Sequence, residues 1–168
     1  MTGRLPVHTL RALPAGDAGI VETLKAMRSI VRTWKVAPIV LQRATELTRG
    51  CPPKDWACEA RALHRYVRDG IRYQMDVLGV ETIRTPELTM RERVGDCDDK
   101  AVLLASLLAA VGHPSRFVAL AFGPPPAPFS HVYVETPIGD HWLAAETTEP
   151  WPFGQAPEGF SRALPFYV

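Results

Sequence analysis

Hydrophobic positions at helical spacing dominate the first part of the chain. Between residues 17 and 35, Ile20, Leu24, Met27, Val31 and Trp34 recur at alternating intervals of four and three, which predicts one amphipathic helix. A second helix is predicted from Pro38, where a first-turn proline sacrifices no intrahelical hydrogen bond, to the stop at Gly50. A third runs from about Asp55 to Asp69, with Asp55 as N-cap and Gly70 as terminator. Residues 71–95 are mixed, and Pro86 opens a short helical turn before Gly95.

The pattern then changes. From Cys97 to Val111 the run CDDKAVLLASLLAAV is apolar on nearly every face, which predicts a helix buried in the middle of a core. Gly112 ends it, with Pro114 beyond. Asp96 is placed to cap its N-terminus, and Asp98 and Asp99 occupy the first turn, where the helix dipole favours negative charge. Cys97 takes the first helical position. Three strands follow: RFVALAF at 116–122, then, after the proline-rich GPPPAP, HVYVE and HWLAAE. Helices first and an antiparallel sheet afterwards make the fold class α+β.

A symmetric turn centred on Ile138 and Gly139 would set His131 opposite Glu146, on the same face and with Cβ atoms ~5 Å apart. It would also set Val132 and Val134 opposite Ala145 and Leu143, an apolar layer for the core. A one-residue slip would turn that layer outward, so the pattern favours this register.

Composition adds constraints. A chain of 168 residues is about one domain long, and 46% hydrophobic with 22% charged residues places it among packed globular proteins. Neither a repeat nor a linker suggests a second domain, so 1–168 reads as one unit with its core at about 55–150 and accessory helices at 17–50. Net charge is +1 with no basic, aromatic-interleaved run, which argues against nucleic acid as a partner. No apolar stretch is long enough to span a bilayer, and MTGRLPVHTL lacks the basic end and apolar run of a signal peptide, so a cytoplasmic protein without a membrane partner is expected. Cys51, Cys58 and Cys97 form no paired C-x-x-C clusters, so neither a disulfide framework nor a zinc site is expected, and Cys51 and Cys58 read as buried thiols. Asp96, Asp98 and Asp99 lack the calcium-loop spacing with its distal glutamate and read as capping residues. No metal and no other cofactor is expected. His8, His64, His113 and His141 read as ordinary surface or helix-end histidines, His141 with Thr136 across from it at the hairpin end.

The segments GDCDDKAVLLASLLAAVGHPSRFVAL, HVYVE and HWLAAETT resemble the three sequence blocks of the transglutaminase-like superfamily, in the family's order and with roughly its spacing. The resemblance covers about Asp55 to Thr148. It implies a papain-like, transglutaminase-like core with Cys97 as nucleophile, His131 as base and Glu146 as the acid that orients the imidazole. One residue departs from the pattern: the family has Asp in a D-P-T or D-T-T sequence where this chain has Glu146-Thr147-Thr148.

A thiol attacks a carbonyl as thiolate, and an unperturbed cysteine is mostly protonated at neutral pH, so this chemistry needs a helix N-terminus and an imidazolium beside the sulfur. Asp96, Asp98 and Asp99 oppose that, and their side chains are expected to turn away from it, Asp96 to the cap and the others to basic groups or solvent. His131 would deprotonate Cys97 and return the proton to the leaving amine, with the Cys97 N–H and either Gln74 or Tyr73 meeting the oxyanion. The resemblance implies acyl transfer through a thioester: hydrolysis of a peptide or amide bond of a peptide or protein substrate, as compact bacterial members of the family suggest, or transfer of a glutamine acyl group to an amine. A phage or prophage setting would suit so compact a chain. The other reading is a binding or assembly module that keeps the fold without the activity.

Overall fold

In the computed structural model, residues 7–10, 16–75 and 81–168 are described, those at 7–10 and at 81 by backbone alone. Strand β1 (Val7–Leu10) precedes three helices, α1 (Asp17–Trp34), α2 (Pro38–Thr48) and α3 (Trp56–Gly70). These lie within a residue or two of their predicted bounds, because apolar spacing and terminators agree. Asp55 caps α3 as expected, its carboxylate accepting from the Cys58 N–H at 2.9 Å. Short elements follow: β2 (Arg72–Tyr73), β3 (Glu81–Arg84), α4 (Pro86–Glu92) and β4 (Val94–Gly95). Then come α5 (Cys97–Ala110) and four strands, β5 (Arg116–Phe122), β6 (Phe129–Ile138), β7 (His141–Ala145) and β8 (Phe160–Tyr167).

The main sheet has the order β7-β6-β5-β8 and is antiparallel throughout. The last strand was not predicted. FSRALPFY alternates in burial and carries Pro165, which a strand tolerates at a sheet edge, where β8 lies. Two small pairings complete the sheets: β1 with β3, antiparallel, and β2 with β4, parallel.

Helix α5 is the centre of the core. Val102, Leu103, Leu104, Leu107 and Leu108 are all buried, each stabilising the fold by roughly 1.5–3 kcal/mol relative to exposure. They pack with Leu24, Met27 and Val31 of α1, Leu63 and Val67 of α3, and Phe117, Val132, Val134 and Ala145 of the sheet. A helix enclosed this way has no polar face to spare. Of the three charged residues in its first turns, Asp99 and Lys100 are therefore buried as well, and Asp98 is partly exposed.

Two expectations are corrected. Cys51 and Cys58 are not separate thiols but a disulfide, which ties the chain before α3 to that helix's first turn. The hairpin turn is Gly139–Asp140, with Gly139 in the left-handed region at φ 60°, a conformation that tight hairpins favour at this position and glycine adopts without strain. Ile138 consequently pairs with His141, and Val134 with Ala145. Moving the turn by one residue shifts every pairing by two, so each side chain keeps its expected face while His131 and Glu146 lose direct opposition. His141 likewise faces Ile138 and not Thr136.

Candidate active site

Cys97 opens α5 behind a doubly anchored N-terminus. The Asp96 carboxylate accepts from the Asp99 N–H at 3.0 Å, and the Asp99 carboxylate accepts in return from the Asp96 N–H, a reciprocal capping box. Gly95 is required by this packing: a Cβ there would lie 2.7 Å from Cβ of Asp99. Asp99 also accepts from the Arg84 N–H at 2.7 Å and pairs with its guanidinium at 3.3 Å. Burial, then the charge of Asp96, raise its carboxyl to about 7, with the Arg84 contacts opposing.

Asp99 thus meets a basic group as expected, but Asp98 does not turn away from the sulfur. Cys97 Sγ lies 3.5 Å from Asp98 Oδ1 as a hydrogen-bond donor. Burial first, then the charges of Asp98 and Asp96, hold the thiol well above its ordinary range, against a backbone hydrogen bond from Val132 that favours the thiolate. This environment favours the protonated thiol over the thiolate.

His131 sits on β6 and Glu146 directly follows β7. Although the register places them diagonally, the longer glutamate side chain spans the offset: His131 Nε2 lies 2.6 Å from Glu146 Oε2. Glu146 is fully buried, and its other oxygen accepts from the Thr148 N–H at 2.6 Å. Burial raises its pKa, but the His131 and Thr148 hydrogen bonds and the imidazole's charge outweigh that and hold the carboxyl below its usual range. An ionised carboxylate only accepts, so Nε2 carries the hydrogen, and the tautomer this leaves for an uncharged ring has its lone pair on Nδ1. Cys97 and His131 line one cleft of about 220 Å³, and His131 and Glu146 line a second of about 390 Å³.

The profile of the Transglutaminase-like superfamily matches residues 41–147. The chain belongs to that superfamily. Its members are generally cysteine-dependent hydrolases and transferases. Among solved structures, a candidate protease from Parabacteroides distasonis superposes with a TM-score of 0.62 at 15% identity, over 77% of this chain and 26% of that one. A candidate cysteine protease from Cytophaga hutchinsonii superposes with a TM-score of 0.54 at 19% identity, over 84% of this chain and 48% of that one. This chain therefore spans about a quarter and about half of those two, and the likeness is one of fold. The sequence matches no curated protein.

The superfamily blocks do not account for everything packed behind this site. His64 is buried against the edge of Phe153, with Nε2 2.5 Å from the backbone carbonyl oxygen of Glu146. Lys100 Nζ donates to the Ile71 carbonyl at 2.8 Å and the Arg68 carbonyl at 3.4 Å, capping the end of α3. His113 is also partnered, its Nε2 2.7 Å from Glu59. His64 is thus not the surface or helix-end histidine expected from sequence, and His113, just beyond the end of α5, is buried and not at the surface; a lone histidine on a helix gives no sign of a partner 82 residues away. His8 lies in β1, its side chain outside the described residues. Of the two expected oxyanion donors, Tyr73 interacts electrostatically with Cys97 and lines the larger cleft, while the Gln74 amide oxygen accepts from Arg72 at 3.3 Å.

Proposed function

We propose that this protein is a thiol hydrolase that cleaves a peptide or amide bond of a peptide or protein substrate through a thioester on Cys97. The observation that carries this reading is the short His131–Glu146 hydrogen bond on the wall of a cleft shared with a cysteine at a helix N-terminus.

Because the thiol form is favoured at rest, the reaction begins with a proton transfer. Nδ1 of His131 takes the thiol proton as Sγ attacks the carbonyl carbon, and Glu146 stabilises the imidazolium that forms. The Cys97 N–H, a helix N-terminal donor, and the Tyr73 hydroxyl receive the oxyanion. Collapse breaks the C–N bond, the proton on His131 leaves with the amine, and a thioester remains. Water, deprotonated by the same imidazole, then cleaves the thioester and returns the proton to sulfur.

The test is alkylation of Cys97 by iodoacetamide against pH, followed by peptide mass spectrometry, in the protein and in His131→Ala. Faster reaction that depends on His131 supports the reading, and a peptide library then separates hydrolysis from incorporation of an added amine. A cysteine equally inert with and without His131 favours a binding module.

A further inference from the structure

The larger cleft beside His131 has a definite chemical character. Tyr73, Phe122 and Trp151 give it aromatic walls, and Glu149 and Glu158, both exposed, supply two carboxylates. Among its described lining residues no Lys or Arg is present, and His131 is the one basic side chain. Its volume of about 390 Å³ suits an extended side chain rather than a whole peptide. The smaller cleft, which shares Ser130 and His131 with it, adds Asp96 and Asp98 beside Cys97.

We propose that the Tyr73–Trp151 cleft is a specificity subsite for a basic side chain, Lys or Arg, of the substrate peptide. The inference rests on Cys97 and His131 being the reacting pair, because the cleft takes its meaning from sharing His131 with the smaller cleft that holds Cys97. An organic cation over an indole or phenol face is attracted by the ring quadrupole, and carboxylates at the same site add Coulomb attraction and steer the approach. An acidic side chain meets the opposite field and is rejected, so the cleft selects in both directions. Neither effect needs a structural change, since aromatics and carboxylates already line one cavity.

Three alkylating probes with one warhead test this without a known substrate: iodoacetamides N-linked to a butylguanidinium, a butyl and a butyrate group. The cationic probe is expected to label Cys97 faster than the butyl probe by about tenfold at low salt, an effect that added salt reduces. Glu149→Gln/Glu158→Gln together should lower the ratio of cationic to butyl labelling to about threefold or less, the scale of partly exposed ion pairs. Equal labelling by cation and butyl probes overturns the subsite, as does a preference indifferent to the double substitution, which would belong to Asp96 and Asp98. A second readout is independent of thiol reactivity: in Cys97→Ala, agmatine should shift the Trp151 indole N–H resonance saturably, and less so with both glutamates replaced. Labelling that fails with all three probes while this shift persists rejects the proposed chemistry and keeps the subsite. Absence of the shift rejects the subsite.

Discussion

His64 Nε2 lies 2.5 Å from the main-chain carbonyl oxygen of Glu146, so a residue of α3 fixes the position of the carboxylate that holds His131. A carbonyl only accepts, so Nε2 carries the hydrogen. Burial lowers the His64 pKa despite that hydrogen bond, and the ring stays neutral. His64→Gln should retain a donor and most Cys97 reactivity, whereas His64→Ala should lose about 2 kcal/mol of stability and slow alkylation. The unfolded chain takes up the His64 proton near pH 6.5 and the folded protein only at lower pH. Wild-type stability therefore falls as pH drops below about 6.5, and the difference from His64→Gln should shrink across that window. Urea unfolding of both proteins from pH 4 to 8 measures it.

Lys100 carries a second pH dependence of opposite placement. It is 1% exposed, and burial lowers its pKa to about 8, with Glu146 and Asp69 opposing. The unfolded chain keeps this proton to about pH 10.4, so between those values the unfolded state binds more protons and stability rises with pH. Relative to Lys100→Met, the wild type should gain about 2 kcal/mol between pH 8 and pH 10. Unfolding midpoints of the two proteins give this difference directly, since other alkaline titrations are common to both.

What the residues disclosed in advance, and what they withheld, follows the range of the interactions. Helix α5 was readable because an all-apolar run, Asp96 before it and Gly112 after it are local facts. The Cys97, His131 and Glu146 positions were readable as sequence blocks, and their placement on α5, β6 and the end of β7 followed from the strand pattern. The hairpin register failed by two because Gly139–Asp140 competes with Ile138–Gly139 as turn, and only backbone conformation separates them. Strand β8 was hidden by Pro165, His64 and Lys100 by their distant carbonyl partners, and the disulfide by its position across a helix start. Asp98 was misjudged on electrostatic grounds: repulsion applies to a thiolate, whereas a thiol at this distance donates to the carboxylate.

The Cys51–Cys58 disulfide gives a direct count. Before reduction the denatured protein should show one reactive thiol, Cys97, and after reduction three. The cysteines are seven positions apart, and closing so short a loop stabilises by about 2–3 kcal/mol in the chain-entropy account. Cys51→Ser/Cys58→Ser should lose that amount while leaving Cys97 alkylation unchanged, because the bridge lies at the start of α3, away from His64 and Lys100's partners. Disulfides of this sort persist in oxidising compartments, so the same thiol count on protein taken from its native source bears on where the chain works.

Asp98 sets the resting state of the Cys97 thiol. Its carboxylate accepts from the thiol at 3.5 Å, and after burial its charge is the main influence raising the Cys97 pKa. Removing a like charge at this range lowers a pKa by about one unit or more, so Asp98→Asn should speed alkylation of Cys97 about tenfold at pH 8. Loss of a first-turn acid should cost the helix about 0.3–1 kcal/mol, visible as a small fall in Tm. The same substitution separates two roles for this carboxylate. If it only restrains the thiol, hydrolysis of a good substrate rises with alkylation. If it also holds the substrate in the smaller cleft, alkylation rises while kcat/KM for a basic peptide falls, and the contrast between the two rates measures what Asp98 contributes to recognition.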